Sequence, residues 1–340
     1  MKNKNELSYK QLKMTCDPKV FKFETTENLE TITTGIGQDR GIKALEFGVN
    51  VNIKGYNIYI DGPSGVGKTM YTKNYLRKIA KKKKVPVVLH ESNAFPGVAV
   101  KMLSNKASKI LVGFEDAKAR LPKAKKVVVT GTPTKVKKVE ISALRKQELL
   151  KENKLESNKP IVLFFGGSQG AKSINNSLLE IISKKQNQDY QILWAAGPKQ
   201  YDQIKNELKE KYSIEIDNIP NVSIVPYIYN MEEIMNIVDL VVSRSGAMTI
   251  TEIANVGVPA IFIPFPFATE NHQEYNAKVL KNVGAAKIIL DKNLTAKELN
   301  STISNLVKDK KVLKEMGEKA HTVAIQDVEE KIYKEIKEVV

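Results

Sequence analysis

Residues 161–171 read Ile-Val-Leu-Phe-Phe-Gly-Gly-Ser-Gln-Gly-Ala, an apolar run that ends directly in a glycine-rich loop. Five consecutive apolar residues are typical of a strand that is buried on both faces of a parallel sheet. The glycines let the backbone approach a phosphate closely, and a helix that begins after Ala171 would offer its free N–H groups to the same anion. By itself the loop is also compatible with mere tight packing of a helix on a strand.

Apolar and amphipathic segments alternate on both sides of this unit. The sequence predicts further strands over residues 56–61, 85–90, 109–114, 126–130, 190–195, 222–225, 240–243, 260–264 and 286–290, with helices between most of them. This alternation is typical of an α/β protein with doubly wound parallel sheets. We predict a poorly defined segment over 1–49, a hybrid α/β lobe over 50–150 and a second lobe over 159–340, joined by a Lys/Asn/Glu-rich linker.

A second strand end in the later lobe carries Ser243-Arg-Ser-Gly-Ala247 and leads into another predicted helix. Ligands of open α/β sheets bind outside the carboxyl ends of the strands, so we expect the two helix N-termini to converge on one ligand. Glu252, in the second of these helices, is an acceptor suited to ribose hydroxyls. Residues 264–273 form a third polar loop at a strand end.

The segment Gly62-Pro-Ser-Gly-Val-Gly-Lys-Thr69 is a complete P-loop pattern between a predicted strand and a predicted helix over 68–84. In this pattern the backbone wraps a phosphate, the lysine reaches the β- and γ-phosphates and the threonine holds Mg²⁺. Hydrolysis also needs an acidic residue at the end of a second apolar strand, which the sequence does not provide. ATP with Mg²⁺ is therefore predicted to bind without complete hydrolytic machinery, at Gly62, Gly65, Gly67, Lys68 and Thr69.

Composition and charge restrict the class of protein. The 340 residues carry a net charge of +16, of which residues 1–85 supply +9, so the chain is attracted to anionic surfaces. We predict no specific nucleic-acid partner. Cys16 is the only cysteine, and the three histidines lie far apart, so no metal site is predicted. The polar N-terminus and the absence of a long apolar run predict a cytoplasmic protein that is at most peripheral to a membrane.

Residues from about 85 to 340 resemble the MurG family of N-acetylglucosaminyltransferases. The matching stretches are His90-Glu-Ser-Asn-Ala-Phe-Pro-Gly97, Val129-Thr-Gly-Thr-Pro133, 166–171, 244–252 and His272-Gln273. The resemblance implies a GT-B fold of two Rossmann-type lobes. It also implies transfer of GlcNAc from UDP-GlcNAc to lipid I (undecaprenyl-diphospho-MurNAc-pentapeptide), giving lipid II, at the inner face of the cell membrane and without a cofactor.

The resemblance further implies a set of UDP-GlcNAc contacts. Ser168 would hold the diphosphate, Glu252 the ribose and Gln273 the sugar, while Asn93 would reach the sugar from the other lobe. The family usually has arginine where Lys135 stands, and lysine lacks the bidentate geometry of arginine. The implied donor-site residues are Asn93, Lys135, Gly167, Ser168, Gln169, Ile228, Ala247, Met248, Thr249, Ile250, Thr251, Glu252 and Gln273.

The N-terminal part does not follow the family. Its Gly-Gly-Thr-x-Gly-His loop, whose histidine is the expected general base, is absent, so we assign no catalytic residue and expect impaired transfer. His90 is interpreted as structural. Residues 17–84 instead resemble the entry to the ATPase module of Lon-type proteases, with a join near Val85-Pro86. Two alternatives stay open: a P-loop ATP-binding protein of Lon-type ancestry, or a fused chain in which neither half functions.

Overall fold

The computed structural model describes residues 39–51, 53, 57–61, 68–83, 86–167 and 170–340, together with residues 19, 25 and 27. The chain divides into two compact units, Met1–Val85 and Pro86–Val340. None of the helices within these described ranges is both long and apolar enough to cross a bilayer.

The first unit contains two helices among its described residues. Helix α1 (Asp39–Asn50) packs against helix α2 (Lys68–Lys83). The strand predicted over 56–61 is wrong as far as it can be compared, because residues 57–61 are not in a strand. Backbone hydrogen bonds to a neighbouring strand define a strand, and no other described residue of this unit supplies one. Apolar, β-branched content alone therefore overestimated this element.

The second unit begins with a small parallel sheet in the order β1-β2-β3. The strands are β1 (Val88–Glu91), β2 (Lys109–Val112) and β3 (Val127–Val129), with helices α3 (Val98–Leu103) and α4 (Glu115–Lys118) in the connections. Helix α5 (Ala143–Glu152) follows. Each predicted strand here is present but shorter by two residues, because the flanking residues turn into the connecting loops, and β1 ends one residue later than predicted.

A six-stranded parallel sheet forms the larger part of the second unit, in the order β6-β5-β4-β7-β8-β9. The chain runs outward from β4 to β6 and then returns to β7, so a topological switch point lies between β4 and β7. The strands are β4 (Ile161–Phe165), β5 (Gln191–Ala195), β6 (Val222–Val225), β7 (Leu240–Ser243), β8 (Ala260–Phe262) and β9 (Ala286–Ile288).

Helices cover both faces of this sheet. They are α6 (Lys172–Ser183), α7 (Pro198–Tyr212), α8 (Met231–Met235), α9 (Ala247–Val256), α10 (His272–Asn282), α11 (Ala296–Val307), α12 (Lys310–His321) and α13 (Val328–Lys337). Leu163 and Phe165 pack into one hydrophobic cluster and Val162 and Phe164 into the other. Burial on both faces explains why β4 is apolar at every position.

The end of the chain returns to the small sheet. The Nζ of Lys109, which is almost fully buried on β2, donates to the backbone oxygen of Glu335 at 2.9 Å and to the Glu338 carboxylate at 2.8 Å. Burial opposes the charge on Lys109, but the hydrogen bonds to Glu335 and Glu338 outweigh it and raise the lysine pKa. Helix α13 is thereby fastened to the first sheet of the same unit.

Candidate functional site

The loops at the carboxyl ends of β4 and β7 flank the switch point of the six-stranded sheet. Phe165 pairs with Ser243 in adjacent parallel strands, so the two loops that follow start side by side. Helix α6 begins after the first loop and helix α9 after the second, and neither has a side-chain cap at its N-terminus. Their first N–H groups are thus available to an anion at the sheet edge.

The glycine-rich loop is closed tightly on itself. A Cβ at Gly166 would overlap the backbone N and the Cβ of Ala171, so only glycine fits there. Gly170 has φ +74°, and a Cβ on it would lie 2.7 Å from the carbonyl oxygen of Ala196. Gly167 also has a positive φ, of +78°. The predicted contacts Ser168 and Gln169 lie outside the described residues.

Glu252 lies on α9, about one and a half turns from its start. Its Oε1 accepts a hydrogen bond of 3.4 Å from Thr134 Oγ1, which belongs to the loop after β3. Burial raises the pKa of the Glu252 carboxyl, and the Thr134 hydrogen bond opposes this only in part. A partly buried carboxylate with remaining acceptor capacity is suited to bind a pair of vicinal hydroxyls.

The other predicted donor-site residues of α9 differ in whether their side chains face solvent or the core. Met248 is 41% exposed, whereas the side chain of Ile250 is fully buried in the core. The Thr251 hydroxyl donates to the backbone oxygen of Ala247 at 3.0 Å. Ile250 and Thr251 can therefore contribute to a ligand site only through the backbone of the helix. Thr249 is half-buried, and Ile228, in the loop after β6, is buried.

Gln273 joins two of the strand-end loops. Its Oε1 accepts from the backbone N–H of Ser245 at 3.2 Å and of Phe265 at 3.0 Å. The Ser245 hydroxyl in turn donates to the Gln273 backbone oxygen at 2.8 Å. Because the side-chain oxygen accepts twice within the protein, the amide nitrogen is the group that Gln273 can offer to a ligand.

Asn93, from the small sheet, is held towards the large sheet by Asn276. The Asn276 amide nitrogen donates to Asn93 Oδ1 at 3.0 Å and to the Ser245 backbone oxygen at 3.1 Å. Asn276 Oδ1 accepts from the Ala94 N–H at 2.8 Å. Asn276 is fully buried and was not predicted from the sequence, although a polar residue within the apolar stripe of a predicted helix, beside Ala277 and Leu280, is a usable signal.

Glu91 shapes the loop that carries Asn93. It is 5% exposed, and its two carboxylate oxygens accept hydrogen bonds from the backbone N–H of Asn93 at 2.9 Å and of Gly97 at 2.7 Å. His90, which was interpreted from the sequence as structural, is exposed on β1. Its Nε2 lies 2.9 Å from the backbone oxygen of Gly131, which belongs to the loop after β3. Lys135 is exposed in the loop next to Thr134.

Three of the predicted P-loop residues lie outside the described residues, namely Gly62, Gly65 and Gly67. Lys68 and Thr69 open helix α2, where Lys68 is half-buried and Thr69 exposed. Within the described parts of the chain, no group of three or more His, Cys, Asp or Glu side chains is arranged to hold a metal ion.

Comparisons with known proteins agree on one family. Residues 161–332 match the model of the glycosyltransferase family 28 C-terminal domain. A UDP-N-acetylglucosamine–N-acetylmuramyl-(pentapeptide) pyrophosphoryl-undecaprenol N-acetylglucosamine transferase from Acetivibrio thermocellus is 38% identical over 261 residues, 76% of this chain and 68% of that protein. The protein of the same name from Caldanaerobacter subterraneus is 39% identical over 255 residues, 75% and 68%.

The fold is similar to that of a solved structure of the same kind. The crystal structure of Acinetobacter baumannii MurG aligns with a TM-score of 0.62 and 26% identity, covering 89% of this chain and 88% of that chain. The predicted α/β fold of GT-B type is confirmed. These comparisons do not support the resemblance of residues 17–84 to Lon-type ATPases.

Proposed function

The chain belongs to the MurG family of GT-B glycosyltransferases, and we propose that it transfers GlcNAc from UDP-GlcNAc to lipid I, giving lipid II and UDP. The observation that carries this proposal is the pair of uncapped helix N-termini, of α6 and α9, at the switch point of the six-stranded sheet. A diphosphate flanked by a nucleoside matches such a site.

The donor is assigned to this edge as follows. The N–H groups of the glycine-rich loop and of α6 bind the diphosphate, with Gly167, Ser168 and Gln169 in the loop. The ribose lies against Glu252, and uracil against Ile228 and the first turns of α9. Gln273 and Asn93 donate to the sugar from opposite sides. Lys135 completes the set as a positive charge towards the phosphates, supported by its exposure on the loop beside Thr134.

The transfer reaction depends on the departure of UDP from the anomeric carbon of GlcNAc. An acceptor hydroxyl of lipid I bonds to the anomeric carbon while the bond from that carbon to the UDP oxygen breaks, and one proton is released. Helix N-termini and backbone N–H groups stabilise the negative charge that develops on UDP. No metal or organic cofactor is required for this assignment. We assign no residue as the base that takes the hydroxyl proton.

The acceptor is lipid-linked, so the proposal places the enzyme at the inner face of the cell membrane. Helix α3 carries two apolar side chains that are about half exposed, Val98 at 50% and Met102 at 54%, with the exposed Lys106 close behind. Exposed apolar side chains beside basic ones suit an anionic lipid surface. Sedimentation with anionic vesicles tests this placement, which fails if the chain stays in the supernatant.

Binding of UDP-GlcNAc is the first expected result. At a ligand concentration 100 times the dissociation constant, the chain should gain about 2.7 kcal/mol of stability, measured as a rise in the thermal unfolding midpoint. Turnover of lipid I should then be slow, because the chain contains no Gly-Gly-Thr-x-Gly-His sequence to supply the base. No stabilisation by UDP or UDP-GlcNAc would overturn the donor site, and turnover at the rate of a complete relative would overturn the expected impairment.

A second candidate function rests on a separate observation in the first unit. A cavity of about 460 Å³ lies between α1, residues 57–61 and the start of α2, and Leu45, Ile58 and Lys68 are among its lining residues. Apolar walls beside the lysine of a P-loop pattern suit an adenine nucleotide. We propose this unit as an ATP-binding element of Lon-type ancestry without complete hydrolytic machinery.

Mg-ATP should then stabilise the chain, and Lys68→Ala should abolish that response, since the lysine contacts the β- and γ-phosphates. Lys43→Ala, an exposed lysine on α1, is the matched control and should respond like the native chain. Thermal unfolding with and without Mg-ATP measures both. An equal response of the native and Lys68→Ala chains would show that the P-loop does not bind the nucleotide.

A further inference from the structure

Arg244 follows β7 and is largely buried, with 12% of its side chain exposed. One guanidinium nitrogen, Nη1, donates to the backbone oxygens of Ile263 at 3.0 Å and Pro264 at 3.2 Å, and to the carboxylate of Asp291 at 2.5 Å. The other, Nη2, donates to the hydroxyl of Ser173 at 2.8 Å. Three of the five guanidinium N–H groups, both of Nη1 and one of Nη2, are thus engaged within the protein.

The three side chains form a closed set. The Ser173 hydroxyl, which accepts from Arg244, donates to Asp291 Oδ1 at 2.7 Å. Ser173 is the second residue of α6, and Asp291 opens the short turn after β9. We refer to Arg244, Asp291 and Ser173 as the loop clamp. It connects the carboxyl ends of β4, β7, β8 and β9, which are four neighbouring strands of the sheet.

The loop clamp includes a residue of the helix N-terminus to which the diphosphate is assigned. Ser173 lies within the first turn of α6, whose free N–H groups face the glycine-rich loop. The ion pair also neutralises the charge of Arg244 close to that site. Because Ser173 is the second residue of α6, its hydrogen bonds to Arg244 and Asp291 connect the start of the helix to the loops after β7 and β9.

We infer that the loop clamp is a positioning device for the diphosphate of the donor: Arg244 does not bind the phosphates but holds the N-terminus of α6 at the orientation in which its N–H groups bind them. This inference rests on the proposed function. In this assignment uridine contacts the loop after β6 and α9, whereas the diphosphate contacts α6, the helix that carries Ser173. The loop clamp should therefore act on the diphosphate part of recognition and spare the nucleoside part.

A direct role of Arg244 in phosphate binding and a positioning role predict opposite effects of Asp291→Asn on the affinity for UDP. If Arg244 acts by its charge on the phosphates, removal of the Asp291 charge makes the site more positive and UDP binds more tightly. If the loop clamp positions α6, the lost ion pair loosens the helix start and UDP binds about tenfold more weakly, while uridine binds within about twofold of the native chain. Calorimetry with UDP, and competition titrations with uridine, measure the ratio of the two affinities.

Ser173→Ala is the second variant, since it leaves the charge unchanged and alanine is well tolerated in a helix. It should lower UDP affinity in the same direction and spare uridine. Asp217→Asn is the matched control, because Asp217 also lies in a short turn but forms only an exposed ion pair with Lys154, before β6. It should leave both affinities unchanged.

The possible results distinguish a failure of the proposed function from a failure of the loop clamp. If the native chain binds neither UDP nor uridine, the proposed function fails. If the native chain binds UDP and Asp291→Asn or Ser173→Ala leaves the UDP-to-uridine ratio unchanged or raises it, the loop clamp is overturned and the donor site stands. Equal losses of UDP and uridine binding, together with a lower unfolding midpoint, would reduce the cluster to a general stabilising contact and likewise overturn the inference.

Discussion

Replacing Gly166 by alanine is expected to raise the dissociation constant for UDP about 100-fold. The added methyl group would overlap the backbone N and the Cβ of Ala171, which stands at the start of α6. The loop must move to relieve this overlap, and its N–H groups then turn away from the diphosphate. The loss of two charge-assisted hydrogen bonds, at about 1.5 kcal/mol each, accounts for the expected factor.

Calorimetric titration with UDP measures the effect, and thermal unfolding without ligand shows how much stability the strained loop costs. Gly97→Ala is the matched control, because the nearest atom to its added methyl is 3.7 Å away and its backbone is in an ordinary extended conformation. UDP affinity of Gly166→Ala within about threefold of the native value would mean that the glycine-rich loop does not bind the diphosphate.

Glu252→Ala is the second substitution with a large expected effect, a loss of about 2–3 kcal/mol in UDP binding, or roughly 30- to 150-fold. The lost group is the carboxylate assigned to the ribose hydroxyls. The same titration with 2′,3′-dideoxy-UDP isolates this contact, since a ligand without the hydroxyls should bind the native and variant chains alike. Glu315→Gln, an exposed glutamate on α12, is the control. A loss that is equal for both nucleotides would place the ribose elsewhere.

The pKa of Glu252 gives this contact a pH dependence. Burial raises the pKa, so the carboxyl takes up a proton at a higher pH than an ordinary glutamate. The affinity for UDP-GlcNAc, whose esterified diphosphate does not titrate at mildly acidic pH, should therefore fall on acidification earlier than an ordinary glutamate would allow. Burial also penalises the charged form, and this cost to folding is fully present only above the raised pKa. Glu252→Gln should accordingly be at least as stable as the native chain at neutral pH.

Several elements of the second unit could be predicted with accurate bounds. Strands β4, β6 and β7 begin and end where the sequence predicts. The reason is local: these strands are largely buried and so are mainly apolar, and glycine, proline or polar residues mark both ends. The same kind of prediction was wrong at 57–61. The β-branched and aromatic residues there favour a strand, but no described residue of the first unit forms a strand to pair with it.

The candidate site could be predicted less completely. Position in a family motif places Ile250 and Thr251 beside Glu252, but helical geometry turns Ile250 into the core and directs the Thr251 hydroxyl to Ala247. His90, the last residue of the strand predicted over 85–90, lies within β1 (Val88–Glu91) and is exposed. An apolar run in the sequence does not fix the environment of the polar residue at its end.

The sequence by itself determined the α/β class, the two glycine-containing strand ends and the family. Those features depend on hydrophobic patterns and on motifs that are contiguous in the chain. Only the tertiary structure decided that Asn276 holds Asn93, and that Arg244 joins Ser173 to Asp291. The partners in these contacts lie 183, 47 and 71 residues apart. Such pairs meet because the strand order β4-β7-β8-β9 brings loops from distant parts of the chain to one edge of the sheet, and this order is a property of the packed sheet rather than of any one segment.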